Sequence, residues 1–444
     1  MHETVVLVGA GSAMFTRGLV ADLIRMGWET DLRLVDIDPD ALAVAEGLTA
    51  KMVEAQHAPI RLCASTDLRD MLSGSTAIIT TIAVGGRSAW ERDVFIPRKY
   101  GIYQPVGDTI MPGGTSRSMR MIPAMVRIAE DVVDLAPEAL FFNYSNPMAA
   151  VCRAVRKATR ANMVGLCHGV QGVARYLANV LGVGPTDVTY SAVGMNHLTW
   201  FTEVRVQDRD AMPQLHEIAV QKLGTGVTGA ADAPDNPFSW HLFDLFGAFP
   251  AVLDRHVSEF FPQFFADGRY YGRTLGIDAF SFEDTIKRGS DIAEQMRQDA
   301  FSDRPLPGDY FDRIGGEHEQ VTEIIQSIRH DAGNVYSANL PNTGQVPNLP
   351  PDAILECPAM AGRGGLRPLP LPPLPSGLAG TLTRPLAWVA TVVEAALEGS
   401  RDKFIQALVL DGAVDSLAAA TNLADELLAA HAEYLPQFAS AADS

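Results

Sequence analysis

Thr4-Val5-Val6-Leu7-Val8-Gly9-Ala10-Gly11-Ser12 is a short apolar strand that runs into a Gly-x-Gly turn. A glycine turn placed there lets backbone amides approach a pyrophosphate, and the helix that follows aims its positive end at the same anion. Leu32-Arg33-Leu34-Val35-Asp36 supplies a second strand ending in a carboxylate. Such a carboxylate accepts both hydroxyls of an adenine ribose and repels a 2′-phosphate, which favours NAD over NADP. The third position of the usual Gly-x-Gly-x-x-Gly is Met14, so the turn is a weak signal without Asp36. A glycine turn in a nucleotide-free α/β fold, with Asp36 as a cap, is the alternative.

Working outward, apolar runs bounded by turns alternate with helical stretches through the first two hundred or so positions. This is the βαβ rhythm of a doubly wound parallel sheet, a Rossmann-type α/β fold. Strands are expected near 4–8, 32–36, 77–81, 139–143 and 163–166. Helices are expected after Ser12, after Asp38-Pro39, near Thr115 and after Pro147. Ligands of such a sheet settle outside the carboxyl ends of its strands, where residues 9–11, Asp36, 84–87, 143–146 and Cys167-His168 collect. Arg87 and Arg117 could contact a uronate or the pyrophosphate, but near the sheet's edge they read as solvated.

Beyond about residue 200 the rhythm loosens into a second, α+β lobe, with aromatic-rich stretches at 240–243 and 260–262 and a helical pattern through 281–298. The expected division is a dinucleotide-binding domain over 1–195 and a substrate, metal and oligomerisation domain over 196–444. Residues 349–378 hold eight prolines at 350, 351, 358, 368, 370, 372, 373 and 375. They predict an extended ordered connection, neither helix nor central strand. The apolar spacing of 402–438 predicts core helix.

A chain of 444 residues exceeds the size of one ordinary core, about 250–300 residues. Its net charge of −18 excludes a nucleic-acid partner, since phosphate binding needs a basic stripe. The four scattered cysteines, Cys63, Cys152, Cys167 and Cys357, fit reduced thiols in a cytoplasm. No stretch of 18 apolar residues suggests a membrane span, and the start of the chain shows no export signal.

Gly165-Leu166-Cys167-His168-Gly169 and Gly194-Met195-Asn196-His197-Leu198-Thr199-Trp200 bring a cysteine and a histidine that could share one divalent ion. Their separation is too long for a zinc knuckle. Two protein ligands would leave positions open for substrate oxygens, and a sulfur and nitrogen pair admits Mn, Fe, Co, Ni or Zn. A buried cysteine beside a hydrogen-bonded core histidine fits the same residues. Asp108 lies in a turn-rich loop over 106–114 and could hold sugar hydroxyls or simply form the turn.

Taken together, the motifs resemble family four of the glycoside hydrolases, the NAD- and divalent-metal-dependent glycosidases. The matching stretches are 9–16, 36–38, Gln104-Pro105-Val106-Gly107-Asp108-Thr109, Asn143-Tyr144-Ser145-Asn146-Pro147-Met148, 167–172, 194–200 and 339–350, in the family's order and across nearly the whole chain. The resemblance implies a fold similar to lactate and malate dehydrogenases. It implies Cys167 and His197 as metal ligands, with Mn2+ or another divalent ion, and Gly9, Gly11, Ser12, Met14, Phe15, Asp36, Asn143 and Asn146 against NAD. It also implies Asn146 at the sugar and a homodimer or homotetramer.

The implied chemistry replaces the usual carboxylate pair of glycosidases. The nicotinamide takes hydride from C3 of the sugar, which makes the C2 proton acidic, and a metal on O2 and O3 stabilises the enediolate. Elimination expels the group at C1, water adds back, and hydride returns, so NAD is not consumed. In similar enzymes the residue after the cysteine is Asn or Asp for 6-phospho-glycosides and His for unphosphorylated α-galactosides, α-glucosides and α-glucuronides. His168 places the chain with the second group, and its imidazole is a candidate to protonate the leaving oxygen.

The chain departs from the family where a Glu-x-x-His-x-Ser-Glu-Tyr stretch is usual. It reads Val252-Leu253-Asp254-Arg255-His256-Val257-Ser258-Glu259-Phe260-Phe261-Pro262, and Phe260 cannot accept a proton. The C2 base is left among Asp254, His256, Glu259, Tyr270 and Tyr271. His256 and Glu259, which keep the polar positions, are expected at the substrate, with His168, Asp108 and His256 as the catalytic set. A sugar dehydrogenase and a silent NAD- and sugar-binding protein are the rival functions.

Overall fold

The computed structural model describes residues 1–224, 235–314 and 320–441. Six strands make the expected parallel sheet: β1 (His2–Val8), β2 (Glu29–Val35), β3 (Ile60–Ser65), β4 (Ala77–Thr80), β5 (Leu140–Asn143) and β6 (Met163–Gly165). Their spatial order is β6-β5-β4-β1-β2-β3, the doubly wound arrangement whose strand order reverses beside β1.

The alternation of side chains along each strand divides the core into two layers. From β1, β4 and β5, Val6, Val8, Ile78 and Phe141 pack on one face, while Val5, Leu7, Ile79 and Phe142 pack on the other. Helices Met111–Leu135, Met148–Ala158 and Ser376–Glu398 cover the first face. Helices Thr16–Met26, Pro39–Ala55 and Val321–His330 cover the second. Asp38 starts one of these, its carboxylate accepting from Asp40 N and Ala41 N at 2.9 and 3.2 Å, an N-cap before a proline.

Most later strands extend this sheet: β7 (Val188–Met195), β8 (Leu198–Val206), β9 (Arg209–Asp210), β10 (Phe249–Ala251), β13 (Asn334–Pro341), β14 (Ile354–Gly362) and β15 (Gly365–Pro368), while β11 (Arg269–Tyr270) and β12 (Arg273–Thr274) pair only with each other in a separate antiparallel ribbon. The order continues from β6 to β13, β14, β7, β8 and β10, with the new pairings antiparallel. Asn339 opposite Gly165 joins the halves. A Cβ on Gly165 would fall 2.9 Å from Asn339 Cβ, so glycine permits that close approach. The sheet therefore runs unbroken past residues 195 and 196, which lie where β7 turns into β8.

Two expectations are corrected. The proline-rich stretch contains β14, a central strand between β13 and β7, and its last residues begin helix Ser376–Glu398. The prolines cluster before and after the strand, and Pro358 alone lies within it, opposite Ser337. A single missing donor is tolerated there, and the carbonyl of Pro358 still accepts from Leu369 N at 2.9 Å. The turn-rich 106–114 loop also ends early, because helix Met111–Leu135 begins with Met111 and takes Pro112 in its first turn, where proline costs no hydrogen bond.

Candidate active site

At the carboxyl end of β1, Gly9 has φ 87°, and the amides of Gly9 and Ala10 both donate to Val35 O at 2.8 and 3.0 Å. Gly11 N donates to Asp36 Oδ2 at 2.8 Å. The loop after β1 is thus tied directly to the end of β2. A Cβ at Gly9 would lie 2.9 Å from Ile82 N, and one at Gly11 would lie 2.6 Å from Ala41 Cβ. Only a bare backbone fits, which is the cradle a dinucleotide pyrophosphate needs. Met14 is half exposed and Ile37, beside Asp36, is fully exposed.

Asn143 has its side chain spent inside the protein. Its Oδ1 accepts from Thr80 Oγ and Ser145 N at 3.0 and 2.9 Å, and its Nδ2 donates to Ser145 O at 3.0 Å. It shapes the loop after β5 that presents Asn146. Arg117, expected in solvent, is buried, and its Nε donates to Asn146 O at 3.1 Å. The physical reason is that helix Met111–Leu135 enters the core with every residue from Met111 to Ile122 buried, so no face of this part meets solvent.

Across the cleft, the hairpin between β7 and β8 turns through Asn196-His197, with His197 at φ 67°. Buried Glu356 of β14 pins this turn, its Oε2 accepting from Asn196 Nδ2 at 3.2 Å and Thr199 Oγ at 3.0 Å. Burial pushes the Glu356 carboxyl up to about 7.

One ligand atom each from Asp108, His197 and His256 lies within 4.8 Å of the others. The two imidazole centroids are 4.2 Å apart. Burial pushes His197 down to about 4 and His256 well below the ordinary histidine range, so both rings are neutral at pH 7 and keep a lone pair. Burial alone would raise Asp108, but the facing histidines, Arg117 and the Thr109 hydroxyl hold its carboxyl at about 2. One anionic oxygen donor and two neutral imidazoles are a donor set for a divalent transition metal. The buried Nδ1 of His256 has no hydrogen-bond partner among the described residues, as fits a group reserved for an ion or substrate.

Asn146 Nδ2 donates to Asp108 Oδ2 at 3.0 Å, and its own Oδ1 is buried without a partner among the described residues. Glu259 is buried with Oε1 accepting from Val106 N and Gly107 N, both at 2.8 Å. It therefore braces the loop that carries Asp108. Burial lifts Glu259 to about 8, and its Oε2 has no partner among the described residues.

Cys167 follows β6 and accepts from Gly169 N at 3.3 Å; it is not one of the three mutually close groups. His168 stands just before helix Gly169–Leu181. It stands close enough to interact electrostatically with His197, His256 and Glu356.

The structure also narrows the base. Asp254 receives Phe238 N, Ser239 N, Ser239 Oγ and Tyr270 OH at 2.5–2.8 Å. It caps helix Pro237–Phe246 and has no spare lone pair for catalysis. Tyr270 spends its hydroxyl on that carboxylate, and burial raises both Tyr270 and Tyr271 above the ordinary phenol range. Phe260 is core. Three contributors were not legible in the sequence: Thr109, Glu356 and Arg255. Thr109 and Arg255 sit inside quoted motifs, whereas nothing about Glu356 in its proline-rich stretch signals the contact.

Two family signatures match, Family 4 glycosyl hydrolase over residues 4–183 and Family 4 glycosyl hydrolase C-terminal domain over 192–414. An alpha-galactosidase of Rhizobium meliloti is 32% identical, over 99% of this chain and 90% of that protein. An alpha-galacturonidase of Bacillus subtilis is 29% identical, over 91% of this chain and 92% of that protein. Among solved structures, a 6-phospho-alpha-glucosidase from gut microorganisms in complex with NAD and glucose-6-phosphate is 25% identical, with a TM-score of 0.80 over 98% of this chain and 99% of that one. Malate dehydrogenase of Aeropyrum pernix shares the fold at a TM-score of 0.51, with 17% identity over 88% of this chain and 98% of that one. A nucleotide cradle and a donor cluster at the carboxyl end of the parallel sheet are thus matched by sequence over both halves, and the chain belongs to family 4 of the glycosyl hydrolases.

Proposed function

We propose that this chain hydrolyses unphosphorylated α-glycosides, of the α-galactoside, α-glucoside or α-glucuronide class, with NAD and a divalent metal such as Mn2+. The observation that carries the reading is the meeting of Asp108, His197 and His256 in one cluster, joined through Asp108 to Asn146 after β5, at the same carboxyl end of the parallel strands as the Gly9–Gly11 cradle after β1. NAD is held by Gly9, Gly11, Ser12, Met14, Phe15 and Asp36, with Asn143 and Asn146 beyond them. The metal is held by His197 and Cys167, with Asp108 and His256 in reach of the same ion. When bound, the two groups supply reversible oxidation at C3 and stabilisation of charge on the vicinal sugar oxygens.

The protein's own residues orient and move protons. Asp108, held below the ordinary carboxylate range by its surroundings, fixes the Asn146 amide, whose Oδ1, without a partner among the described residues, can accept a sugar hydroxyl. His168 gives its proton to the leaving oxygen. His256, within the cluster, is the proton acceptor, and Glu259 beside it is a hydroxyl donor in its protonated form below its raised titration point. No helix among the described residues is long and apolar enough to cross a membrane. Cytoplasmic residence and a homodimer or homotetramer complete the proposal; exposed Leu245 and Phe264 offer apolar surface for such an assembly.

Nitrophenyl α-glycosides incubated with NAD, Mn2+ and a thiol reductant test the reading. Nitrophenol released without net NADH, with solvent deuterium entering C2 of the sugar in heavy water, is expected. Steady NADH accumulation would instead mean a sugar dehydrogenase, and a product of unchanged mass would refute the elimination route.

A further inference from the structure

Arg255 stands next to His256 in the chain, and its partners are unusual for a half-buried guanidinium. Its Nη2 donates to Thr285 Oγ at 3.0 Å, its Nε is buried with no protein partner, and no carboxylate lies within ion-pair distance among the described residues. Arg288 follows Thr285 by three positions on helix Phe282–Phe301, on the same helical face. It is exposed and likewise has no ion pair among the described residues. A third guanidinium, Arg87, reaches the next turn through Gly289 O at 3.3 Å. None of these three guanidinium groups has an ion pair among the described residues; Asp108 and Glu259 act on Arg255 only from beyond ion-pair distance, and Arg288 adds like charge beside it.

Those charges sit beside a cluster whose donors suit a divalent cation, which adds repulsion. Burying an unpaired charge there costs free energy unless an anion completes it. Asp108 is already committed to Thr109 and Asn146, so the missing anion must arrive with the ligand.

We propose that Arg255, assisted by Arg288, is the specificity-determining element of the sugar site, and that the glycoside cleaved carries a carboxylate: the substrate is an α-uronide. This rests on the hydrolase reading above and narrows it. A guanidinium fork matches a planar carboxylate with two parallel hydrogen bonds. One half-buried arginine balances one negative charge.

The test measures kcat/KM on nitrophenyl α-galacturonide, α-glucuronide, α-galactoside and a 6-phospho-α-galactoside, with NAD and Mn2+, for the wild type, Arg255→Lys and Arg255→Gln. Calorimetric binding of free galacturonate and galactose is measured alongside. A uronide is expected to exceed the neutral glycoside by roughly 100-fold, with the ratio falling close to one in Arg255→Gln. Arg288→Gln, at an exposed position, is expected to lower the same ratio severalfold and carries the test should the Arg255 variants fail to fold. Equal turnover of neutral and uronic glycosides, a preference for the 6-phosphate, or an unchanged ratio in the variants would overturn the proposal. If no glycoside is turned over but the wild type still binds galacturonate more tightly than Arg255→Gln does, the anion site stands and the hydrolase reading fails. If galacturonate binding is also no tighter than that of galactose, both fail.

Discussion

The Thr109 hydroxyl lies 2.7 Å from Nδ1 of His197. The same hydroxyl donates to Asp108 Oδ1 at 2.7 Å, so at the imidazole it accepts, and Nδ1 carries the hydrogen. The lone pair of His197 is thereby fixed on Nε2, the nitrogen left for a cation. Thr109→Val keeps the shape and removes both bonds. Mn2+ affinity, titrated calorimetrically into metal-free protein, is expected to fall about 10- to 100-fold; an unchanged affinity would show that the ring needs no such orientation.

Chelation is expected to abolish turnover, and added Mn2+ to restore it. Among single variants, His197→Ala, Asp108→Asn and Cys167→Ser are each expected to weaken Mn2+ binding by roughly tenfold or more. If Cys167→Ser binds the ion as the wild type does, the cation is held by Asp108, His197 and His256 without the thiolate. If instead Asp108→Asn binds normally, that carboxylate serves the sugar alone.

Gly11→Ala places a methyl group against Ala41 Cβ and Asp36 Oδ2, at 2.6 and 2.9 Å before relaxation. Overpacking of this kind costs about 1–3 kcal/mol, and it pushes apart the two loops that cradle the nucleotide. A lower Tm and at least a severalfold loss of NADH affinity, read by fluorescence, are expected. Normal NADH binding would place the pyrophosphate elsewhere.

Asp411 is buried, with Thr115 Oγ at 3.2 Å and Ala413 N at 2.9 Å as donors. Burial pushes its carboxyl from 3.8 up to about 8. Below pH 4 both folded and unfolded forms hold the proton. As pH rises toward 8 only the folded form still holds it, so this residue's contribution to stability declines through that window. Asp411→Asn, which cannot ionise, is expected to gain on the wild type steadily from pH 4 to pH 8, by roughly 2 kcal/mol or more at the upper end. Parallel denaturation curves of the two proteins across that range would contradict the shift.

The strands of the parallel half were legible because each is a short apolar run closed by a turn; β1, β4 and β5 are buried along nearly their whole length. β3 escaped notice because it lies at the sheet's edge and alternates buried with exposed positions. Helix Gly86–Arg98 escaped for a related reason, since only Ala89, Asp93, Val94, Ile96 and Pro97 of its thirteen residues are buried. β14 was hidden by its flanking prolines, whose local veto on a central strand was outweighed by pairing on both sides.

At the site, the glycine cradle and Asp36 were legible because their roles depend on backbone freedom and position within one βαβ unit. Asp108, His197 and His256 were each named, yet their meeting was not, because they come from three segments brought together by packing. Glu259 shows the limit well: read as a sugar contact, it spends one carboxylate oxygen holding the amides of Val106 and Gly107.

The sequence by itself determined the doubly wound half, the preference for NAD, and the family, since each depends on local order: apolar runs, glycines that permit close approach, and motifs in a fixed succession. The tertiary structure alone decided which groups share one cluster, which carboxylates are capped or protonated, and which arginine is left without an anion. Those properties are set by burial and by distances between residues far apart in the chain, and they exist only once the sheet has closed over them.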